Sequence, residues 1–315
     1  MKAVRITAGL AAVLTYGLIV LGALVRSTES GLSCPDWPTC YGHWVLTPAD
    51  YATLPDTGYT YVQIMLEWVH RLVAGVILGP LVLLLSALVF ARAGKYPTLA
   101  WAAALLILLL VVQAGLGRFT VLDQNSPWSV ALHLGTALLV FTTMLFLFVR
   151  SREAPTRVPA VGLLSALAWV TALAAMLTAA VTAKSGASLA CATWPLCDGA
   201  IVPDLSDPLV RIHVAHRALA AATGVLILLL AVVAARTPCR GQALAALLLV
   251  AGQIALGAVL IRLQVPTWAA VLHQAVGVLT FAMLAGLMWR ALRPAGPRVA
   301  PTIGETTHGL ALRGA

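Results

Sequence analysis

Long apolar runs, separated by short polar segments, dominate the pattern of the chain. The runs are rich in Leu, Ala and Val and are continuous, whereas the strands of a transmembrane barrel would alternate over about ten residues. A helix needs about 20 apolar residues to cross the hydrocarbon core. The pattern therefore predicts an all-α integral membrane protein of eight transmembrane helices, at about 4–25, 63–90, 97–117, 128–149, 159–181, 210–235, 242–261 and 268–290.

The composition supports the same fold class. Hydrophobic residues make up 61% of the chain and charged residues 10%, against about 45–50% and about 25% in a soluble domain. This excludes a water-soluble globular protein. The N-terminus has the basic start of a signal peptide, but its apolar stretch is long and no small-residue cleavage site follows it cleanly. We therefore interpret it as helix 1.

The net charge of +9 is distributed as in a membrane protein and does not indicate a nucleic-acid partner. Thirteen of the 20 basic residues fall on one side of the predicted helices: Lys2, Arg5, Arg92, Lys95, Arg150, Arg152, Arg157, Arg236, Arg240, Arg290, Arg293, Arg298 and Arg313. The other side holds most of the acidic residues. By the positive-inside rule, both termini are expected in the cytoplasm of a multi-pass cell-membrane protein, with loops 26–62 and 182–209 outside.

The chain repeats itself. Each half has a C-x5-C loop with Trp-Pro at the same offset, a His-Arg pair on its second helix, and a Gln that precedes a His by 20 residues. The pairs are Cys34/Cys40 and Cys191/Cys197, His70-Arg71 and His216-Arg217, and Gln113/His133 and Gln253/His273. This predicts two tandem pseudo-symmetric four-helix bundles, at 1–150 and 159–290, with a linker at 151–158 and a cytoplasmic tail at 291–315.

Four of the seven histidines, His70, His133, His216 and His273, lie at matched depths in the even-numbered helices. Each lies about 5–8 residues into its helix, which puts the imidazole roughly 8–12 Å below the outer surface. Two histidines at one depth on parallel helices suit axial ligation of a heme, one heme in each half. Hydrogen bonding between helices or proton relay is the alternative. Zinc prefers three or four clustered ligands and is disfavoured.

The halves differ three residues before the first of these histidines, where Glu67 stands in one half and His213 in the other. Residues at i and i+3 share a helix face, so Glu67 and His70 point the same way. A carboxylate within the membrane is a functional candidate, here as a general base; orienting His70 or pairing with Arg71 are the alternatives. His213 could reach the same pocket as His216, a heme propionate or another helix.

Arg71 and Arg217 each directly follow a candidate ligand histidine. A charged side chain in this position is costly unless it is paired. Heme propionates are natural partners for arginine, and snorkelling of the side chain to the membrane interface is the alternative.

The two cysteine pairs fall on the predicted outer side, where disulfides persist. Cys34 with Cys40 and Cys191 with Cys197 could each close a short loop that braces a cap over its bundle. A redox-active disulfide is the second interpretation, because small loops can be strained and reducible.

The linked motifs resemble those of the heme A synthase family. The resemblance rests on Gly31-Leu-Ser-Cys34-Pro-Asp-Trp-Pro-Thr-Cys40, Glu67-Trp-Val-His70-Arg71, Gln113-Ala-Gly-Leu-Gly117 and His133, repeated in part in the second half. It implies an oxidoreductase that converts heme O to heme A by oxidising the C8 methyl group to a formyl group. It also implies a resident heme B on His216 and His273, and the substrate heme on His70 and His133, with Glu67 essential nearby.

The resemblance also implies partners: heme O synthase as the source of heme O, an electron acceptor, and membrane lipid. A homo-oligomer stays open. Two other functions also stay open from the residues alone. One is a bis-His two-heme cytochrome that only transfers electrons, and the other is a heme transporter or chaperone that performs no chemistry.

Overall fold

The computed structural model describes residues 1–151 and 157–292, and in this part of the chain eight helices are long and apolar enough to cross a membrane. The prediction of eight helices is confirmed. They are α1 (Lys2–Ser27), α2 (Tyr61–Phe90), α3 (Pro97–Leu122), α4 (Pro127–Arg150), α5 (Pro159–Lys184), α6 (Pro208–Ala234), α7 (Arg240–Arg262) and α8 (Thr267–Ala291). A short helix, Pro48–Thr53, lies in the loop between α1 and α2.

Proline begins four of these helices, at Pro97, Pro127, Pro159 and Pro208. At the first helical position the missing N–H costs nothing, because that group has no partner within the helix. Most of the observed helices run a few residues past the predicted ends. The largest extension is in α3, which continues to Leu122.

The helices pack as two rings that meet along one seam. In the first half α1 packs on α2 and α4, and α3 packs on both α2 and α4. In the second half α5 packs on α6 and α8, and α7 packs on both α6 and α8. The seam consists of α1, α4, α5 and α8, where small residues such as Ala8, Ala11 and Ala168 are buried. Small side chains let membrane helices approach closely, which strengthens their packing.

The two halves also meet beside the predicted linker. Val158 donates its backbone N–H to the carbonyl of Ala291 at 3.1 Å. Most of the linker and of the tail lies outside the described residues, as do Arg152, Arg293, Arg298, Arg313 and His308. The domain boundaries therefore stay a prediction.

One helix departs from regular α-geometry. Residues Val73–Leu78 of α2 form π-helical turns, and the N–H of Gly79 bonds to the carbonyl of Ala74. Pro80 follows directly; it has no N–H to donate, and its ring clashes with the carbonyl four residues earlier. The corresponding helix of the second half, α6, is α-helical from Pro208 to Ala234.

Candidate functional site

The first half encloses a cavity of about 720 Å³ between its four helices. Three of the predicted site residues, Glu67, His70 and His133, line it together with Arg71. The end of the bundle that carries residues 28–60 and 185–207, which we call the loop face, closes over it with Trp37, Pro38 and Trp44. The structure thus brings the N-terminal histidine pair and the carboxylate to one cavity.

Glycines stand opposite the two imidazoles of this cavity. A Cβ added at Gly22 would lie 3.3 Å from Cε1 of His70, and one added at Gly117 would lie 3.2 Å from Cε1 of His133. Any larger residue would push the rings. His70 Nδ1 is buried without a hydrogen-bond partner, and the Gln113 amide nitrogen lies 3.2 Å from the ring nitrogens of His133. His70 thus keeps a ring nitrogen available to a ligand, whereas a ligand of His133 would have to displace the amide of Gln113.

The second half has the equivalent histidine pair, His216 and His273. His216 Nδ1 lies 2.9 Å from the carbonyl of Ala175, so this nitrogen carries the proton and donates it. That tautomer leaves Nε2 with a free lone pair, as an iron ligand requires. His273 packs near Gly257, where an added Cβ would lie 3.5 Å from its Cε1, and its Nδ1 is buried without a partner. The chemistry of these ring nitrogens fits residues that would hold a heme iron.

Glu67 and His213 contact equivalent groups in their respective halves. Glu67 Oε2 accepts the backbone N–H of Cys34 at 2.9 Å, and His213 Nδ1 lies 3.4 Å from the backbone nitrogen of Cys191. Because His213 Nε2 accepts from Arg217, Nδ1 carries the ring proton, so the contact with Cys191 is not a hydrogen bond that His213 accepts. Each also bonds the arginine four residues on: Arg71 at 2.6 Å from Glu67 Oε1, and Arg217 at 3.0 Å from His213 Nε2. The two halves therefore differ in the group that contacts the disulfide loop and the arginine at this position: a carboxylate in the first half and an imidazole in the second.

The sequence left open whether His213 reaches the pocket of His216, a heme propionate or another helix. In the structure His213 faces the disulfide loop of its own half. Glu67 does the same, and is only 5% exposed, but it also lines the cavity. Ser33 Oγ donates a further hydrogen bond to Glu67 Oε2 at 3.0 Å. A carboxylate has about four lone-pair sites, and these contacts occupy three of them, so one is left for the cavity.

Arg71 and Arg217 hold the disulfide loops by their backbone carbonyls. Arg71 donates to the carbonyls of Asp36, Thr39 and Cys34, the last at 3.1 Å. Arg217 donates to four loop carbonyls, including that of Cys191 at 3.1 Å. Most of their N–H groups are thus committed to the loops, so a heme propionate would have to share or displace these bonds.

Both predicted cysteine pairs form disulfides, with Cα atoms 4.8 Å apart in the first loop and 4.6 Å in the second. The first loop is also organised by Asp36, which accepts hydrogen bonds from the side chain of Thr39 and the backbone N–H groups of Tyr41 and Gly42. Burial raises the pKa of the Asp36 carboxyl, but these hydrogen bonds outweigh burial and lower it below its usual value. The loop therefore favours an ionised Asp36.

Several polar residues of the cavity were not singled out from the sequence as site residues, among them Glu29 and Asn125 near the loop face. Arg26 of α1, Lys184 of α5 and Gln274 of α8 also line it, and Arg26 donates to Gln274 Oε1 at 3.1 Å. The cavity of the first half is thus completed by side chains from the second half. One signal was available: counted from the Ser-Gly pairs, the counterpart of Arg26 is Val181, so this arginine breaks the repeat.

The chain is similar to known proteins over most of its length. The model of the cytochrome oxidase assembly protein family matches residues 5–285. The heme A synthase of Shouchella clausii is 31% identical over 255 residues, which cover 76% of this chain and 80% of the relative. The heme A synthase of Geobacillus kaustophilus is 30% identical over 295 residues, 88% of this chain and 87% of the relative. The heme A synthase of Shewanella oneidensis is 30% identical over 253 residues, which cover 70% of this chain and 75% of the relative.

Proposed function

Because the chain belongs to the cytochrome oxidase assembly protein family and is an oxidoreductase of the heme A synthase type, we propose that it oxidises the C8 methyl group of heme O to the formyl group of heme A. The observation that carries the proposal is the single cavity that holds His70, His133 and Glu67. Oxidation of a methyl group to an aldehyde removes four electrons, and when water supplies the oxygen it also releases four protons. The site must therefore bind a heme and accept protons.

His70 and His133 are the proposed ligands of the substrate heme. They lie on α2 and α4, on either side of the cavity, and small residues face both rings. The 720 Å³ cavity is of the size that encloses a large organic ligand.

His216 and His273 are the proposed ligands of a resident heme B, which would supply one-electron transfer when bound. Their role is to fix the group through Nε2 of His216 and a ring nitrogen of His273. The hydrogen bond from His216 to Ala175 sets the tautomer in advance. The second-half position equivalent to Glu67 holds His213, which carries no carboxylate, so we assign electron transfer to this half and chemistry to the other.

Glu67 is the proposed proton acceptor of the first half. An ion pair, with Arg71 Nη2 2.6 Å from Glu67 Oε1, keeps the carboxylate in place beside the cavity. Its remaining lone pair can accept a proton from a water or from the methyl group being oxidised. General-base assistance of this kind contributes about 10²–10⁴ in rate.

The propionates of the substrate heme are proposed to bind at the loop face. Arg71, which we predicted for this role, is largely committed to loop carbonyls. Arg26 and Lys184 line the same cavity; Arg26 donates one side-chain hydrogen bond, to Gln274, and interacts electrostatically with Glu29, which also lines the cavity. We therefore assign the propionates to Arg26 and Lys184, with Arg71 as a secondary contact.

The orientation in the membrane belongs to the same proposal. The loop face, with both disulfides, is placed outside, and both termini are placed in the cytoplasm, following the distribution of basic residues. Heme O synthase is the proposed source of substrate, and a separate electron acceptor receives the electrons.

The test is the pigment content of the protein. The chain is co-expressed with a source of heme O, purified, and its hemes are extracted and separated by chromatography. Heme A in the extract supports the proposal, provided that the His133→Ala variant forms none. Two molecules of heme B per chain and no heme A would select the electron-transferring cytochrome, and unchanged heme O would select the transporter or chaperone.

A further inference from the structure

The cavity of the first half continues well past the histidines, away from the loop face. Along α2 it reaches Gly79, nine residues beyond His70, and along α4 it reaches Val140, seven residues beyond His133. At about 1.5 Å per residue, this extension is roughly 10–13 Å long. Its lining is apolar and includes three small residues, Gly75, Gly79 and Ala114, beside Leu110 and Val140. We call this part the apolar limb.

The glycines of the limb do not serve helix packing. Gly75 and Gly79 form a G-x3-G pair, a pattern that usually brings two membrane helices into close contact. Here a Cβ added at Gly75 would meet no atom within 4 Å, and one added at Gly79 would meet only the carbonyl of Ala74 in the same helix, at 3.6 Å. The space beside the pair is open and belongs to the cavity.

The second half has a larger side chain at the equivalent place, Ile254, which is 44% exposed. Ile254 of α7 occupies the position that Ala114 occupies in α3, one residue after the matched glutamines Gln253 and Gln113. Cδ1 of Ile254 lies 3.8 Å from a Cβ added at Gly224 of α6. The first half has only a methyl group at this place, and its α2 is widened by π-helical turns between Val73 and Leu78. The smaller residue at position 114 and the π-helical turns of α2 thus both widen the cavity beside α2 and α3.

The limb also lies at the lipid-facing surface of the bundle. Gly75 and Ala114 are exposed, and Val76 between the glycines is 61% exposed. A ligand that extends from the histidines along the limb therefore reaches the hydrocarbon region of the membrane between α2 and α3.

We propose that the apolar limb binds the isoprenoid tail of the heme substrate and that Ala114 makes the first half selective for a tailed heme. This inference rests on the proposed function. Heme O carries a long isoprenoid chain that heme B lacks, so a site for heme O needs apolar space beyond the macrocycle. The second half, which we assign to heme B, needs none and has Ile254 there. The lateral opening lets the tail remain in lipid while the macrocycle binds between His70 and His133.

The test measures heme preference and not turnover. The full-length protein, with its second-half heme in place, is titrated with heme O and separately with heme B in lipid nanodiscs. Binding at the first-half site is the absorbance change that is absent in the His70→Ala/His133→Ala double variant. Ala114→Ile and Gly75→Leu each fill the limb, and Ile254→Ala is the matched control in the other half.

We expect Ala114→Ile and Gly75→Leu to lower the preference for heme O over heme B by about tenfold or more, equivalent to about 1.4 kcal/mol, through weaker binding of heme O alone. Ile254→Ala should leave the preference unchanged. A wild-type preference in both filling variants, or equal weakening of both hemes, overturns the inference. An absorbance change of parental size when heme O is added to the His70→Ala/His133→Ala protein would instead overturn the proposed substrate site, and the tail assignment with it.

Discussion

Replacing Glu67 with histidine copies into the first half the arrangement that the second half already has. His213 Nε2 accepts a hydrogen bond from Arg217 and Nδ1 lies 3.4 Å from the Cys191 nitrogen, the groups equivalent to those that Glu67 bonds at Arg71 and Cys34. A histidine at position 67 can thus keep the disulfide loop anchored while removing the carboxylate. We expect Glu67→His to retain the fold and the second-half heme but to lose heme A formation.

Glu67 has two roles, as a partner of Arg71 in the folded protein and as the proposed general base, and their loss should have effects of different size. Removing one partner of a buried ion pair costs about 3–5 kcal/mol when nothing replaces it. Here Arg71 keeps its three loop carbonyls, and the imidazole replaces one acceptor, so we expect the loss of stability to stay below about 3 kcal/mol. The loss of general-base assistance is worth about 10²–10⁴ in rate. Catalysis should therefore fall much further than folding.

The assay combines heme extraction with a check on the loop. Extracted hemes from Glu67→His are compared at matched expression with those of the parent and of His213→Gln, which changes the same anchoring position in the other half. Alkylation of Cys34 and Cys40 with and without reductant reports whether the loop is intact. The reasoning is refuted if Glu67→His makes heme A at the parental rate, or if His213→Gln loses it while Glu67→His does not.

Three further predictions follow from the same geometry. His216→Ala should strip the resident heme B, while His70→Ala should spare it; a full low-spin spectrum in purified His216→Ala would reassign the cofactor site. Cys191 and Cys197 should resist alkylation in freshly isolated membranes until they are reduced, and free thiols there would contradict the disulfide. Because the folded-state pKa of Asp36 is lowered, its stabilisation of the first loop is present above the ordinary pKa of about 4 and is lost as the pH falls through the lower folded value. Proteolysis of the loop should therefore increase at acidic pH in the parent and become less dependent on pH in Asp36→Asn.

The sequence by itself determined the number of helices, the repeat and the candidate ligands. Apolar runs of membrane length are a local property, so eight helices could be counted without knowing their packing. Equal offsets in the two halves likewise predicted which histidines share a depth, because depth along a helix follows from residue number. The predicted pairs of cysteines and the location of Glu67 and His70 on one face were accessible in the same way.

Only the tertiary structure decided what each of these groups contacts. Arg71 and Arg217 bond carbonyls 21–37 residues away in the chain, and no local pattern predicts where a loop backbone will fold back. Arg26 meets Gln274 at a separation of 248 residues, across the seam between the halves. The open space beside Gly75 likewise depends on which side chains α3 presents. Such contacts follow from how distant helices pack, and a periodicity along one helix carries no information about its neighbour's side chains.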